Sequence, residues 1–188
     1  MIAYQFYVDY FAETCPKIYQ GMTFKNTTPT EQQKQQWDCA IKNISQSLFV
    51  SGGIGTGKTL LTVLCGRAWV DSGFPVIFAN TTDLFRRMLN EIRSDAQQDI
   101  LYRCLTVDVL IIDDLGKEKL TEWVGQNLYN IIDCRTSNKK VTYVSSNFSL
   151  GELARKLGDN YGQAIVSRIS GTSKKIVLTG DDIRIKNI

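Results

Sequence analysis

The stretch Ser51-Gly52-Gly53-Ile54-Gly55-Thr56-Gly57-Lys58-Thr59 decides the fold of this chain. It fits the pattern G-x-x-x-x-G-K-S/T, it follows a short apolar run at 48–50, and it opens a helix-like segment at 60–71. A strand, a glycine-rich loop and a helix in this order are the context that a phosphate-binding loop requires. The glycines let successive backbone N–H groups point at an anion, which also faces the positive end of the helix dipole. A glycine-rich turn that matches the pattern by chance is the alternative.

The loop predicts a site for ATP and Mg²⁺. Lys58 supplies a positive charge for the β- and γ-phosphates, and the Thr59 hydroxyl is placed to ligate Mg²⁺. The residues predicted to bind the nucleotide are Gly52, Gly53, Ile54, Gly55, Thr56, Gly57, Lys58, Thr59 and Leu60.

The composition is that of a folded protein with a weak net charge. The 188 residues are 43% hydrophobic and carry a net charge of 22 − 19 = +3, which neither requires nor excludes nucleic-acid binding. The chain has no histidine, and its five cysteines form no C-x-x-C pair, so a structural zinc site is not expected. It shows neither a signal-peptide pattern nor an apolar run of the ~18 residues that span a membrane. A cytoplasmic protein is therefore expected.

Two further motifs have the chemistry that a phosphate-binding loop needs. Asp113 and Asp114 follow the apolar run 109–112. Asp113 can hold Mg²⁺ through its water shell, and Asp114 can orient and polarise the attacking water. Asn147 follows a second apolar run, where its amide can hydrogen-bond the γ-phosphate or that water. Turn formation is the alternative for all three residues, because Asp and Asn are common where a strand ends.

Arg168 stands on a mostly apolar helical segment near the end of the sequence. Arginine is the residue that stabilises developing charge on a transferring phosphoryl group from a neighbouring subunit. An arginine held in a surface salt bridge fits the same residues equally well.

The first 24 residues contain seven of the chain's sixteen Tyr and Phe residues. The sequence is therefore divided into an aromatic segment at 1–24 and an ATPase domain at 25–188. The segment is either a docking helix for a partner protein or a cover for the domain's own core. These aromatic residues are Tyr4, Phe6, Tyr7, Tyr10, Phe11, Tyr19 and Phe24.

The remaining pattern alternates strands and helices, which implies a doubly wound α/β sheet. Strands are expected at 48–50, 76–79, 109–112, 141–144 and 175–178. A helix capped by Thr28, with Pro29 at its first position and Glu31 completing a capping box, is expected before the first strand.

The motifs together resemble the DnaC/DnaI family of bacterial helicase loaders, whose relatives include the transposition helper ATPase IstB. The resemblance runs from about Phe24 to the end. It is carried, in order, by the loop, the block Ile111–Gly116, the turn Ser145-Ser146-Asn147 with the following Leu150–Leu153, and the segment Ser167-Arg168-Ile169.

This resemblance implies the AAA+ fold of P-loop NTPases. The expected architecture is a five-stranded parallel sheet in the order 5-1-4-3-2 with helices on both faces. ATP is then bound between subunits of a ring or spiral, and Arg168 reaches the neighbour's nucleotide in trans. Asp113, Asp114 and Asn147 take the magnesium, water-activating and sensor roles. Two departures are expected: no separate helicase-binding domain before residue 25, and no helical lid domain after the fifth strand.

The implied partners are a replicative DnaB-type helicase, single-stranded DNA and other copies of the chain, with no membrane. Replication initiators and loaders carry a helical insertion between strands two and three that lines a single-strand channel. In this sequence Arg86, Arg87 and Arg93 lie there and could contact DNA phosphates. An ordinary solvated helix face is the alternative.

Three functions remain open: a helicase loader, a transposition helper ATPase and a small-molecule kinase. The first two share every core motif. A water-activating Asp114 and a sensor Asn147 favour hydrolysis over the kinase.

Overall fold

A computed structural model describes residues 5, 8, 11–90, 95–118 and 121–182 of the chain. Its strands are β1 (Ser47–Gly52), β2 (Val76–Asn80), β3 (Val109–Asp113), β4 (Val141–Ser146) and β5 (Ser173–Leu178). They form one parallel sheet in the order β2-β3-β4-β1-β5. This is the expected order 5-1-4-3-2 read from the other edge, so the predicted α/β fold is confirmed.

Helices connect the strands, and two of them begin at a side-chain cap. Thr121 caps one of them by accepting the Val124 N–H, and Ser149 with Glu152 forms a capping box for another. Within the described ranges, no helix has both the length and the apolar character to cross a membrane. The helices are α1 (Lys34–Lys42), α2 (Lys58–Asp71), α3 (Thr81–Asn90), α4 (Asp95–Thr106), α5 (Glu122–Ser137), α6 (Leu150–Lys156) and α7 (Gly158–Thr172).

The sheet has a hydrophobic core on each face, because alternate residues of a strand point to opposite sides. Leu48 and Ile111 face the layer that contains α1 and α2. Phe49 and Leu110 face the layer that contains α3, α5 and α7. All four side chains are almost fully buried. The expected helices on both faces are therefore present.

The described N-terminal residues cover the α2 side of the sheet. Phe11 and Cys15 are each 4% exposed and belong to the core there. Tyr19 and Phe24 are half-buried against the same core, and Phe24 meets Trp37 edge-on at 6.0 Å between ring centroids. The rings of Phe11, Tyr19 and Phe24 therefore cover the domain's own core. The remaining aromatic residues of the segment, Tyr4, Phe6, Tyr7 and Tyr10, lie outside the described residues.

The helix before β1 begins later than predicted. Thr28 is not its cap: a 3₁₀ turn at Glu31–Gln33 follows the extended Thr30, and α1 begins at Lys34. The reason is Gln33, which is 3% exposed and turns its amide away from the helix. That amide donates to the Thr56 carbonyl at 2.9 Å and the Thr179 carbonyl at 3.1 Å. The turn thus fastens the chain to the glycine-rich loop.

Candidate functional site

The glycine-rich loop joins the end of β1 to the start of α2 at the carboxyl edge of the sheet. Gly57, just before α2, has a φ of 84°, a left-handed conformation that glycine adopts without strain. Gly55 has a φ of 75°, and a Cβ there would lie 2.0 Å from the Asp182 Oδ1. Both positions therefore need glycine, although the phosphate-loop pattern specifies it only at Gly57.

Two side chains of the loop bind the same carbonyl. The Lys58 ammonium donates to the Gly53 carbonyl at 2.7 Å, and the Thr56 hydroxyl donates to it at 2.9 Å. Lys58 is only 5% exposed, so its charge lies within the loop. This arrangement places a cation where the phosphates of a nucleotide would lie.

The other predicted loop residues contribute in different ways. Gly52 is the last residue of β1. Ile54 is 70% exposed at the tip of the loop, whereas Leu60 is 9% exposed and packs into the core. Any contact of Leu60 with a nucleotide would therefore come from its backbone.

Asp113 is the most buried carboxylate of the site. It is 4% exposed and ends β3. Its Oδ1 accepts hydrogen bonds from the Ser145 hydroxyl at 2.6 Å and from the Thr59 hydroxyl at 2.8 Å. Burial raises the pKa of Asp113, and these two hydrogen bonds oppose that rise. The predicted magnesium residues, Thr59 and Asp113, are thus in direct contact.

The oxygens of this cluster suit Mg²⁺, which prefers hard oxygen ligands. The Thr59 hydroxyl gives its only proton to Asp113, so its lone pairs can face a cation. The carboxylate lies close enough to hold a coordinated water. The oxygens of Thr59 and Asp113 therefore suit the Mg²⁺ ion that accompanies a nucleoside triphosphate.

Asp114 and Asn147 lie beside the glycine-rich loop. With Lys58, Thr59 and Lys117 they line one depression, here called the nucleotide cleft. Asp114 has a φ of 59°, and the Ser145 hydroxyl accepts its backbone N–H at 3.0 Å. The left-handed conformation directs its carboxylate differently from that of its neighbour in β3. The fold thus brings together residues that the sequence separates by about ninety positions.

Lys117, Ser145 and Tyr19 were not identified from the sequence. The Lys117 ammonium pairs with the Asp114 carboxylate at 2.9 Å. Ser145 bonds to both carboxylate residues, and Tyr19 lines the nucleotide cleft from the N-terminal segment. A lysine three residues after Asp114 was a visible signal, whereas Tyr19 had none.

Arg168 lies on α7 and faces α5. Its Nε donates to the Asp133 carboxylate at 2.5 Å, and its Nη2 donates to the Tyr129 hydroxyl at 2.7 Å. The guanidinium carbon also sits 4.6 Å from the centre of the Tyr129 ring. Among the described residues that line the nucleotide cleft, none comes from α5 or α7. Arg168 therefore does not line the nucleotide cleft of its own chain.

The arginines predicted to contact DNA lie on α3, except for Arg93, which is outside the described residues. Arg86 forms an exposed ion pair with Asp83 at 2.9 Å. Arg87 is exposed and lines a cavity of about 460 Å³ between α3, α4 and the N-terminal segment. Tyr102, an aromatic residue on α4 that the sequence analysis does not single out, is 65% exposed.

Comparisons with known proteins show which proteins this chain resembles. The chain is 27% identical over 109 residues to the replicative helicase loader DnaI of Bacillus subtilis, covering 57% of this chain and 35% of DnaI. It is 26% identical over 145 residues to the replicative helicase loader DnaC of Escherichia coli K12, covering 76% of this chain and 57% of DnaC. A crystal structure of the DnaC helicase loader matches with a TM-score of 0.74 at 25% identity, over 87% of this chain and 100% of that one.

These matches confirm the predicted resemblance to the DnaC/DnaI family, although the chain spans only 35% and 57% of the two loaders' lengths. The family model described as IstB-like ATP binding protein matches residues 17–188, nearly the whole chain. This chain therefore belongs to the family of IstB-like ATP-binding proteins.

Proposed function

We propose that the chain hydrolyses ATP and uses the cycle to load or remodel a replicative hexameric helicase on single-stranded DNA. The observation that carries this proposal is the joining of Thr59, Asp113 and Ser145 by hydrogen bonds beside Asp114 and Asn147. That set supplies a cation site, a base and a neutral amide around one phosphate loop. The names of the relatives supply the helicase part of the proposal.

In the proposed reaction, the loop amides and Lys58 bind the phosphates, and Thr59 and Asp113 hold Mg²⁺. The ion, when bound, neutralises charge that develops on the transferring phosphoryl group. Asp114 accepts a proton from the attacking water, and the Asn147 amide orients that water or a γ-phosphate oxygen. A neutral amide does this without changing the charge of Asp114.

The ion pair between Asp114 and Lys117 has to separate before Asp114 can accept a proton from water. Both side chains are partly exposed, at 27% and 46%, and an exposed ion pair of this kind contributes only ~0–1 kcal/mol. The γ-phosphate can therefore attract Lys117 away from the carboxylate. Asp114 would then become available as nucleotide binds.

Arg168 is proposed to act on the ATP of a neighbouring copy. Its position outside the nucleotide cleft of its own chain supports this role, because Arg168 is then available to the nucleotide of another copy. ATP bound between copies would then link nucleotide state to assembly.

The helicase part is tested by reconstitution with the replicative helicase of the same host. We expect the two proteins to co-elute in gel filtration with Mg²⁺-ATP and to separate with ADP. Co-elution with neither nucleotide, at micromolar concentrations, would contradict a loader.

The second candidate, a transposition helper ATPase, is favoured by the IstB-like family match. Nucleotide-dependent binding of a transposase encoded beside this gene would establish it instead.

Single-stranded DNA is proposed to contact α3. Replacing Arg86 and Arg87 together by Ala should weaken binding to a fluorescent oligo-dT about tenfold at moderate salt. The slope of log affinity against log salt should become shallower by roughly 1.4, because each lost phosphate contact removes about 0.7. Fluorescence anisotropy across a sodium chloride series measures both quantities.

The matched control removes two charges from the other edge of the sheet. Lys174 and Lys175 are exposed on β5, whereas α3 follows β2 at the opposite edge. Replacing both lysines by Ala should leave DNA affinity within about twofold, since only unspecific attraction is lost. Equal losses in the two variants would mean that α3 is an ordinary solvated face.

A further inference from the structure

The surface between α5 and α7 holds Arg168 in a defined position. Three contacts fix the guanidinium: the Asp133 carboxylate at Nε, the Tyr129 hydroxyl at Nη2, and the Tyr129 ring 4.6 Å from the guanidinium carbon. Arg168 has about a third of its side chain exposed, and Asp133 about two fifths. A surface arginine normally samples many rotamers, so this degree of restraint is unusual for its exposure.

The restraint is built from two helical stripes. Gly125, Tyr129 and Asp133 are spaced four residues apart on α5 and therefore share one face. Tyr161 and Arg168, seven residues apart on α7, share the face opposite. The Tyr129 and Tyr161 ring centroids lie 6.1 Å apart with their planes tilted by 43°, so Arg168, Tyr129 and Tyr161 form a continuous row of contacts.

The Tyr161 end of this row is held in place as well. A Cβ at Gly125 would lie 2.6 Å from the Tyr161 ring, so glycine lets that ring lie directly on α5. The Tyr161 hydroxyl donates to the Glu122 carboxylate at 2.9 Å. Tyr161 is therefore fixed on α5 beside Tyr129.

The contacts leave the guanidinium able to bind an anion. Bonds to Asp133, Tyr129 and, at 3.4 Å, the Ala164 carbonyl account for three of the five N–H donors that an arginine carries. Two donors remain for phosphate oxygens, in the planar geometry that suits them. A guanidinium already oriented loses less conformational entropy when it meets its ligand.

We propose that Asp133 and Tyr129 are positioning residues that present Arg168 to the ATP of a neighbouring copy. This inference rests on the proposed function, because it requires that Arg168 act in trans. Asp133 fixes the direction of the Arg168 side chain through Nε, and Tyr129 fixes the distance of the guanidinium from α5. Neither residue is among those that line the nucleotide cleft of its own chain.

Mixing two variants tests the proposal. Lys58→Ala disables the phosphate loop but keeps Arg168, so it serves as a donor of the arginine. Arg168→Ala keeps the loop but lacks the arginine, so it serves as an acceptor. Each alone should lose turnover by about a hundredfold or more, and an equimolar mixture should recover a measurable fraction. Phosphate release is followed with Mg²⁺-ATP, single-stranded DNA and, where wild-type turnover requires it, the host helicase.

Asp133→Asn is then placed in each partner in turn. In the donor, as Lys58→Ala with Asp133→Asn, it should lower the recovered rate on the order of tenfold to a hundredfold, because the arginine is misplaced. In the acceptor, as Arg168→Ala with Asp133→Asn, it should leave recovery within about twofold, because that chain's arginine is already absent. A folding defect would reduce recovery in both roles. Tyr129→Phe, which removes only the hydroxyl, should show the same asymmetry with a smaller loss, and Asp133→Glu should partly restore the donor.

The outcomes separate the inference from the proposed function. Equal recovery with and without Asp133→Asn in the donor would overturn the positioning role and leave the trans arginine standing. Better recovery would overturn it too, because it would mean that Asp133 restrains Arg168 from acting. If the Lys58→Ala and Arg168→Ala chains never complement, the trans role of Arg168 fails, and the positioning role fails with it. No turnover by the wild-type chain under any of these conditions would contradict the ATPase itself.

Discussion

Replacing Asp114 by Asn is expected to lower ATP turnover by about 10²- to 10⁴-fold while ATP still binds. The amide keeps the shape of the side chain but cannot accept a proton from the attacking water. Asn is also among the residues that tolerate the left-handed φ of 59° at this position, so the backbone should not change. Turnover is measured by phosphate release, and affinity by titration with a fluorescent ATP analogue.

ATP affinity of this variant should rise by a few-fold. Asp114 now pairs with Lys117 at 2.9 Å, and the substitution removes that negative charge from the nucleotide cleft. Lys117 then has only the γ-phosphate as an anionic partner there. Weaker ATP binding together with lost turnover would instead indicate that Asp114 holds the loop in shape.

Asp108 provides a matched control at the other end of the same strand. It precedes β3 and pairs with Lys140 at 2.9 Å, so Asp108→Asn removes a comparable ion pair far from the loop. Turnover should stay within about twofold, because an exposed pair contributes little to stability. Loss of turnover in both variants would mean that the effect comes from the fold and not from chemistry in the nucleotide cleft.

The Asp114→Asn protein also separates two ways in which ATP could act on a helicase. If it still co-elutes with the helicase in ATP, binding of ATP is the signal and hydrolysis resets it. If it no longer co-elutes, the hydrolysis step itself is needed to form the complex. Both outcomes are informative only because the variant keeps its nucleotide.

The meeting of Thr59 and Asp113 was predictable because both motifs end strands of one parallel sheet. The carboxyl ends of parallel strands share an edge, and ligands bind along it. The resemblance also implied that only β4 separates β1 from β3, so the residues that follow these two strands were expected near each other. Residues such as Asp114 and Asn147 followed from the same reasoning, since each comes directly after such a strand.

The supporting residues could not be predicted in this way. Gln33 reaches the loop only because the chain turns in a 3₁₀ conformation before α1, against the helix start that Thr28 and Pro29 suggested. Asp133 and Tyr129 are separated from Arg168 by more than thirty residues, and no local pattern joins them. Their roles depend on how two helices pack on one face of the sheet, which periodicity alone does not determine.

Arg135 is a further residue with no signal in the sequence, and its charged side chain is fully buried. It is 0% exposed on α5, and burial lowers its pKa to about 10, so it stays charged at neutral pH. In the described part of the chain, the Arg135 guanidinium donates no hydrogen bond to a carboxylate. Instead its donors meet the Thr142 hydroxyl and the carbonyls of Cys104, Val107, Asp108 and Val141.

These acceptors belong to three different elements. Cys104 and Val107 lie at the end of α4, Asp108 lies just before β3, and Val141 and Thr142 begin β4. Arg135 therefore ties the insertion between β2 and β3 to the amino edge of the sheet. This is the opposite edge from the nucleotide cleft, so its loss should affect stability before it affects nucleotide chemistry.

Replacing Arg135 by Met is expected to lower the free energy of unfolding by about 3–5 kcal/mol, because buried carbonyls lose their donor. That is a large share of the ~5–15 kcal/mol by which a domain is stable. Arg135→Lys should also be destabilising, since one ammonium cannot reach acceptors spread over three elements. Urea unfolding followed by circular dichroism gives both values.

Arg67→Met is the control: Arg67 forms an exposed pair with Asp71, so its loss should cost less than about 1 kcal/mol. Equal losses for Arg135→Met and Arg67→Met would mean that water replaces the buried guanidinium at little cost.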